Sequence, residues 1–493
     1  MSDHSTSTIH TTVAIIGAGF GGLGAAIELK RRGEHDLVIL ERATEVGGTW
    51  RDNTYPGCRC DVQSNLYSFS FAPNPSWSNT YPSQPELLDY LRGVTRDHHL
   101  GHHLRFGFEV ASVEFDEELG RWRLRAVDGR EVIAANVILA TGGLAEPRLP
   151  DLEGLDGFEG TIVHSATWDD DLDLAGVRAA VIGTGASAIQ IVPAIADDVG
   201  HLTVFQRTPP WVLPHPGKKV SSRAKRLYAL APPFQRLARW ADYWLREWLV
   251  VPFVKAPKIM AGAEKKALEH LHGQVEDPAL REALTPDYRL GCKRILMSDE
   301  YYPALQLDTV DLETRSIECV TPTGIRLDDG TEIDLDVLIC ATGFKVTDNP
   351  TATKVHGRGG VPLAAAYQGQ LPCYRGTSFP GFPNLYMITG PNTALGHSSM
   401  VFMIESQLSY IAEAIAFSTA NDNDLIEPRR EVAAAEEDAI QAKLPGTVWG
   451  TGCASWYLTD EGRNVTIWPD FTFRYRQRTR HLIPEHHVVT STS

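Results

Sequence analysis

The chain has 493 residues, enough for two or three domains, and 43% of them are hydrophobic, so it can bury a large core. Its formal charge of −16 argues against nucleic acid or an anionic membrane as a broad partner, because both are negatively charged. An acidic protein that binds phosphates must concentrate its basic residues locally. The polar N-terminus has no signal-peptide pattern, and no apolar run looks long enough to span a membrane.

The seven cysteines are irregularly spaced, which predicts reduced thiols in a cytoplasmic protein. Cys58 and Cys60 lack the usual metal or redox spacing and have no matching pair, so no metal site is predicted there. The histidines of residues 98–103 are better explained as a solvated helix end than as metal ligands.

The chain begins with a strand, a glycine-rich turn, a helical pattern and a second strand. Residues 13–16 and Leu37–Leu40 predict the buried strands, and the glycines between them are Gly17, Gly19 and Gly22. Glycines at this spacing let the backbone turn tightly, approach a pyrophosphate and pack the helix closely, and the helix N-terminus favours phosphate. Glu41 closes the second strand and can accept hydrogen bonds from a ribose hydroxyl pair. The alternative is a glycine-rich turn in an unrelated α/β domain.

The irregular stretch over residues 43–71 follows Glu41 directly and is rich in glycine and aromatic residues, which is typical of a loop that wraps a cofactor. Trp50 and Tyr67 are candidate ring contacts. Asp61 places a carboxylate in this aromatic setting, and a turn or helix cap is its alternative role. The next elements are predicted as a helix over 85–98, strands over 106–116, 121–127 and 136–143, and a linker over 144–158.

A second strand–turn–helix–strand unit repeats the first. Gly183, Gly185 and Ala188 take the glycine positions, and Arg207 follows Gly183 at the spacing at which Glu41 follows Gly17. A carboxylate at this position suits a ribose 2′-hydroxyl, whereas a guanidinium suits a 2′-phosphate. The two units are therefore predicted to bind different ligands, FAD in the first and NADPH, in preference to NADH, in the second.

Residues 211–287 show helical periodicity with many aromatic side chains. A helix lying on a membrane surface is one interpretation. Prolines and the mixture of acids and bases favour a helical insertion that covers a pocket. The adjacent bases Lys293 and Arg294 follow in an apolar context, which is costly unless they meet anions such as phosphate or a reaction oxyanion. A surface pair is the alternative.

The last third predicts strands over 336–344 and 381–389 and a partly apolar helix over 399–416. An alanine- and glutamate-rich helix follows residue 432. The tryptophan-rich segment over 449–469 is predicted to close over a bound cofactor.

Together these segments resemble the flavin-dependent Baeyer–Villiger monooxygenases of the single-chain, FAD- and NADPH-using class. Three matches carry this resemblance. The first is the pair of glycine motifs, and the second is the Gly-Gly-Thr-Trp to Asp stretch over residues 47–61. The most specific is the fingerprint Phe-x-Gly-x-x-x-His-x-x-x-Trp-Pro/Asp, matched by Phe158, Gly160, His164, Trp168 and Asp169. The resemblance departs where Lys345 follows an Ala-Thr-Gly-Phe turn, since the family often has an acid there, and in the variable loop at 397–400.

The resemblance implies an α/β fold of two Rossmann-like dinucleotide-binding domains with a helical insertion, and an active site between them. The FAD domain would take residues 1–145 and 381–493. The NADPH domain would take 150–210 and 291–380, with the insertion over 211–290.

By resemblance, Arg294 would stabilise a flavin peroxide anion, Asp61 would hold that arginine, and Lys293 and Arg207 would grip the 2′-phosphate. Trp456 would lie over the nicotinamide, and His164 and Trp168 would link the domains. The implied cofactor-binding residues are Gly17, Gly19, Phe20, Gly22, Glu41, Gly48, Thr49, Trp50, Asp61, Tyr67, Val110, Gly183, Thr184, Gly185, Ser187, Ala188, Arg207, Thr208, Lys293 and Trp456.

The implied reaction inserts one oxygen atom of O2 beside a ketone carbonyl through a C4a-peroxyflavin, giving an ester or lactone, with sulfoxidation as a side activity. The implied partners are a ketone and O2, for a monomer or homodimer. The nearest rival is an N- or S-oxygenating flavin monooxygenase, which needs no arginine. Weaker rivals are a reductase that passes electrons to a partner and a non-catalytic dinucleotide sensor.

Overall fold

The structure is a computed structural model, and it describes residues 8–346, 350–453, 455–459 and 461–491. Its strands, in chain order, are β1 (Ile9–Ile16), β2 (Leu37–Leu40), β3 (Leu104–Arg105), β4 (Val110–Asp116), β5 (Arg121–Ala126), β6 (Glu131–Leu139), β7 (Thr161–His164), β8 (Arg178–Ile182), β9 (His201–Phe205), β10 (Val212–Leu213), β11 (Leu296–Met297), β12 (Val310–Glu313), β13 (Ile317–Thr321), β14 (Gly324–Leu327), β15 (Glu332–Asp334), β16 (Val337–Cys340), β17 (Val355–His356), β18 (Leu385–Met387), β19 (Leu425–Pro428) and β20 (His487–Thr490).

The α-helices are α1 (Phe20–Arg31), α2 (Thr49–Asp52), α3 (Gln84–Asp97), α4 (Ala188–Ile195), α5 (Ser222–Leu230), α6 (Pro232–Glu247), α7 (Met260–Gln274), α8 (Pro278–Ala283), α9 (Tyr301–Ala304), α10 (Pro350–Thr353), α11 (Met400–Ala420), α12 (Arg430–Gln441) and α13 (Thr472–Arg478).

The first sheet has the order β17-β4-β5-β6-β1-β2-β3, with β18 also paired to β6. Strand β1 runs parallel to both β2 and β6, while β4, β5 and β6 form an antiparallel excursion. The four residues of β2 are all buried, as expected for a parallel strand covered on both faces. Helices α1 and α11 pack against each other over this sheet, so the unit draws on both ends of the chain.

The second sheet is fully parallel and has the order β12-β9-β8-β16-β7. Helix α4 packs behind it with an apolar face that includes Ile189, Ile191 and Val192. The α/β class and the two dinucleotide-binding units predicted from the sequence are present in this arrangement.

The two glycine turns adopt the same backbone geometry. Gly17 has φ +103°, and a Cβ there would lie 2.6 Å from the Ala140 carbonyl oxygen. Gly183 has φ +113°, and its Cβ would lie 2.7 Å from the Ala341 carbonyl oxygen. Each first glycine therefore needs both its left-handed conformation and its missing side chain, since the alanine ending a neighbouring strand presses against it.

The insertion lies between β10 and β11, which pair with each other, and it contains helices α5 to α8. The chain returns to the first sheet earlier than the predicted boundary at residue 381, because β17 pairs with β4 and Ala352, Val355 and Leu363 join the first sheet's core. No strand-length apolar run marks this return in the sequence.

The prediction of reduced cysteines is wrong for one pair, because Cys292 and Cys453 form a disulfide across 161 residues. Among the described residues the other cysteines are free thiols. The described residues contain no group of three or more His, Cys, Asp or Glu side chains placed to hold a metal ion. His103 is 6% exposed rather than solvated, and its Nδ1 lies 3.0 Å from the Leu37 carbonyl oxygen.

Helix α11 corrects the expectation that no apolar run is long enough for a membrane. By length and composition it could cross one, but 67% of its most apolar window is buried inside the molecule. It packs against α1 and α13, as a core helix does.

Candidate active site

A cavity of about 660 Å³ lies at the carboxyl ends of the first sheet's strands and reaches the second unit. We call residues 17–22 the first cradle and residues 183–188 the second cradle. Both cradles contribute to the cavity lining, the first through Gly17 and Gly19 and the second through Gly185 and Ser187, and Arg294 lines the same cavity. Clefts at the carboxyl ends of parallel strands are where dinucleotides bind in this class of fold.

The first cradle is tightly enclosed. A Cβ on Gly22 would overlap the Gly17 carbonyl oxygen, so only glycine lets α1 begin so close to β1. A Cβ on Gly19 would lie 3.6 Å from the Gly48 Cα, because the following loop folds back over the turn. Phe20, the first residue of α1, is buried and packs against Tyr67 with ring centroids 5.3 Å apart.

Glu41 is 4% exposed and is held by several donors. Its Oε2 accepts the Ala18 N–H at 2.8 Å, and its Oε1 accepts Arg51 Nη1 and the Ala43 N–H, both at 3.0 Å. A carboxylate has about four lone-pair sites, so these contacts leave capacity for a ribose hydroxyl. The contact between Arg51 and Glu41 was not predicted. Arg51 directly follows Trp50, which was a candidate ring contact, but Arg51 itself had no predicted role.

The loop predicted to wrap a cofactor lines the cavity. Trp50 Nε1 donates to the Tyr67 hydroxyl at 3.3 Å, and the two rings meet edge to face. All but one of the residues predicted for the FAD side line the cavity: Gly17, Gly19, Phe20, Glu41, Gly48, Thr49, Trp50, Asp61, Tyr67 and Val110. Gly22 is the exception and lies beneath the turn.

Arg294 and Asp61 form a two-pronged ion pair at the cavity wall. Nε donates to Oδ2 at 2.7 Å and Nη2 donates to Oδ1 at 2.6 Å. Burial alone would raise the pKa of Asp61, but the Arg294 charge and hydrogen bonds outweigh it and lower that pKa. The Asp61 charge in turn raises the pKa of Arg294. Both groups therefore stay ionised, and the planar guanidinium is fixed in one orientation.

A second arginine supports this pair from the insertion. Arg246 of α6 donates through Nη2 to the Asp61 backbone carbonyl at 2.7 Å and through Nε to Gln63 Oε1 at 2.7 Å. Nothing in the local sequence pattern indicates this contact, because the two residues lie far apart in the chain.

The second cradle is more open. A Cβ on Gly185 would meet no atom of the described chain within 4 Å. Thr184 Oγ1 donates to the Thr208 carbonyl at 3.0 Å, which ties the turn to the loop after β9. Gly185 and Ser187 line the cavity, whereas Gly183, Thr184, Ala188, Arg207, Thr208 and Lys293 lie outside its lining.

Arg207 and Lys293 lie near each other beside the second cradle. Arg207 is exposed, and Lys293 Nζ stands 4.7 Å from the centre of the Tyr288 ring. Burial, followed by the Arg207 charge, lowers the pKa of Lys293. Two cations held close together form a suitable site for a phosphate, and the Asp287 carboxylate offsets only part of the effect of burial and of Arg207 on Lys293.

Trp456 also lines the cavity and is 42% exposed. The disulfide joins Cys292, one residue before Lys293, to Cys453 in the Trp456 segment.

The loop of the first unit and α4 of the second also meet. The Tyr55 hydroxyl donates to Gln190 Oε1 at 3.0 Å, and Gln190 Nε2 donates to the Arg59 carbonyl at 3.1 Å. Tyr55 lies in the matched stretch over residues 47–61 but had no predicted role, and Gln190 belongs to no motif, so sequence reasoning missed this contact.

The fingerprint residues occupy the boundary between the units. The turn Ser165–Thr167, which follows His164, lies against α2 of the first unit. Trp168 packs on the core of the second sheet. The His164 ring is buried, and its Nδ1 accepts the Ala166 N–H at 3.0 Å.

Known proteins of similar sequence and structure identify the family of this chain. Residues 14–228 match the family model described as pyridine nucleotide-disulphide oxidoreductase. A Baeyer–Villiger monooxygenase of Streptomyces coelicolor is 46% identical over 99% of this chain and 95% of its own length. One from Pseudomonas aeruginosa is 44% identical over 98% of this chain and 92% of its own. The crystal structure of OTEMO in complex with FAD and NADP is 26% identical, covers 96% of this chain and 97% of its own, and has a TM-score of 0.85.

The fold and the site define a flavoprotein monooxygenase with two dinucleotide-binding units. The chain belongs to the Baeyer–Villiger monooxygenase family. The predictions of the family, the enzyme class and the FAD and NADP cofactor pair are confirmed.

Proposed function

We propose that the enzyme inserts one oxygen atom of O2 beside the carbonyl of a ketone and releases an ester or lactone. FAD lies in the first cradle and NADPH in the second. The observation that carries this proposal is the Arg294–Asp61 ion pair in the wall of a cavity that both cradles share.

The first cradle fits FAD on its own geometry. Gly19 and Gly48 approach each other without side chains between them, since a Cβ on Gly48 would lie 3.2 Å from the Gly19 Cα, and both line the cavity at the start of α1, where the helix N-terminus favours negative charge. Glu41 stands after β2 with acceptor capacity for a ribose. Trp50 and Tyr67 give the far end an aromatic wall for a planar ring.

When bound, FAD would supply the redox chemistry, taking its electrons from NADPH and activating O2. The chain's contribution is charge and orientation. The Arg294 cation favours an anionic oxygen species over its neutral form by direct attraction. Asp61 keeps that cation in one position, so little reorganisation is needed when negative charge develops beside it.

The test is Arg294→Ala. We expect NADPH to reduce the bound flavin at nearly the normal rate, while ester formation falls about 10²–10³-fold, the typical loss for one preorganised donor. Single-turnover flavin absorbance and product analysis measure the two steps separately. Arg289→Ala is the matched control, because Arg289 is an exposed arginine of the same segment paired with Glu264.

An unchanged yield of ester per NADPH in Arg294→Ala would remove Arg294 from the reaction.

A panel of linear, cyclic and aryl ketones, tested beside amines and sulfides, separates this function from N- or S-oxygenation. Ketone turnover supports the proposal. Sulfide oxidation is expected as a side activity and does not discriminate, since neutral and anionic peroxides both carry it out.

A further inference from the structure

Helix α6 of the insertion is oriented with its polar side inward. Gln235 Nε2 donates to the Asn74 carbonyl at 2.6 Å, and Arg239 Nη1 donates to the Asn65 and Ser68 carbonyls at 2.6 and 2.7 Å. Arg246 continues the same side about two turns further on, seven residues after Arg239. The side of α6 that packs on the enzyme is therefore its hydrogen-bonding side.

The opposite side of α6 is apolar and faces solvent. Its exposed large side chains, with the residue that follows the helix, are Phe234, Leu237, Trp240, Leu245 and Trp248, between 52% and 68% exposed. Helix α5 adds Leu227 and Leu230. Isolated apolar residues are common on surfaces, but a continuous aromatic and aliphatic helix face marks a contact surface.

The charges around this face are segregated. Residues 211–260 contain ten basic and two acidic residues, a formal charge of +8 in a chain whose total is −16. Both acids are withdrawn from the surface: Glu247 is 1% exposed and bonded to Thr472, and Asp242 is half-buried beside Asn65. Arg223, Arg226 and Arg236 are exposed on α5 and α6. Within residues 211–260 the exposed charged side chains are therefore all basic, and the exposed acids of the mixed sequence lie further along the chain, over residues 269–287.

We infer that this face docks on an anionic lipid bilayer, with α6 lying in the plane of the interface. Trp and Leu side chains on one side of a helix with Arg and Lys beside them are what an interfacial helix uses, since rings enter the headgroup region and cations meet lipid phosphates. A second copy of the chain is a poorer occupant, because it would bring two basic faces together. The proposal does not depend on the reaction assigned above.

The test is flotation of the full-length, FAD-loaded enzyme with two vesicle preparations, one of phosphatidylcholine and one of phosphatidylcholine with phosphatidylglycerol. We expect binding to the second that falls as salt is raised, and far weaker binding to the first. Replacing both tryptophans, Trp240→Ser with Trp248→Ser, should weaken binding at least about tenfold, since both rings leave the interface. Arg223→Gln and Arg226→Gln should each weaken it about fivefold.

Leu119→Ser with Val127→Ser is the matched control, because both side chains are exposed outside the insertion, one in the β4–β5 turn and one directly after β5. Flavin content and vesicle-free NADPH oxidation verify that every variant is folded. Equal binding to both vesicle types, or no binding to either, would overturn the proposal. Sedimentation would identify the rival occupant, a second copy of the chain. If the parent enzyme were a dimer that did not bind vesicles, and the tryptophan variant were a monomer, the face would be an interface between copies.

Discussion

The two glycine cradles share one backbone turn but differ in how the chain surrounds them. In the first, Gly22 lies under the Gly17 carbonyl, the loop at Gly48 covers the turn, and the acid that follows is buried among three donors. In the second, Gly185 faces open space and the base that follows is exposed.

This difference separates two modes of binding on one fold. An enclosed cradle with a preorganised acid suits a cofactor that stays bound, because ordering costs are met when the protein folds. An open cradle with an exposed cation suits one that enters and leaves. We therefore propose that the first unit holds FAD and that the second is the docking point for NADPH, and three experiments test that division.

The largest effect is expected from Gly22→Ala. The new Cβ would overlap the Gly17 carbonyl oxygen, so α1 must shift and the enzyme should lose its flavin, with stability reduced by about 3 kcal/mol. Flavin absorbance per protein and thermal unfolding measure both losses. Gly185→Ala is the control and should retain full flavin, since its Cβ meets open space. A yellow, stable Gly22→Ala enzyme would contradict the enclosed first cradle.

A smaller effect is expected from Arg207→Ala. Losing a charged hydrogen-bond partner of the 2′-phosphate should raise the KM for NADPH about 10–100-fold and leave that for NADH nearly unchanged. The unfolding temperature should not move, because Arg207 is exposed. Steady-state kinetics with both nucleotides measures this. If both KM values rise equally, Arg207 does not contact the phosphate.

The smallest effect concerns pH. Burial and the Arg207 charge lower the pKa of Lys293, so its positive charge is complete below that pKa and is lost as the pH rises through it. The KM for NADPH should therefore rise by up to about fivefold at a pH where an ordinary lysine would still be charged. Lys293→Arg should flatten this profile, since arginine stays charged. An identical profile in both enzymes would separate Lys293 from the phosphate.

The sequence predicted what depends on local pattern. Apolar runs with glycines at fixed spacing identified both βαβ units, and the chemistry of Glu41 and Arg207 distinguished them. The role of Arg294 came only from the family resemblance, because its partner Asp61 lies in a distant loop. A similar separation hid Gln190 and the Cys292–Cys453 bond, whereas Arg51 lies only 10 residues from Glu41 and simply had no predicted role.

Helix α6 shows a different limit. Its periodicity predicted a helix with many aromatic side chains, and a helix with one apolar side ordinarily buries that side. The pattern is identical whichever side turns inward, so the orientation depends on what the rest of the chain offers. Here the loop over residues 61–74 offers backbone carbonyls, and the polar side takes them.

The disulfide bond between Cys292 and Cys453 limits how far two segments of the site can move apart. One end lies immediately before Lys293 and Arg294, and the other lies three residues before Trp456. The tryptophan segment therefore cannot move far without pulling on the residues that carry both cations. A thiol-containing buffer that reduces this disulfide removes the connection. The kinetics of the reduced and the oxidised enzyme should therefore be compared before either form is used as the reference.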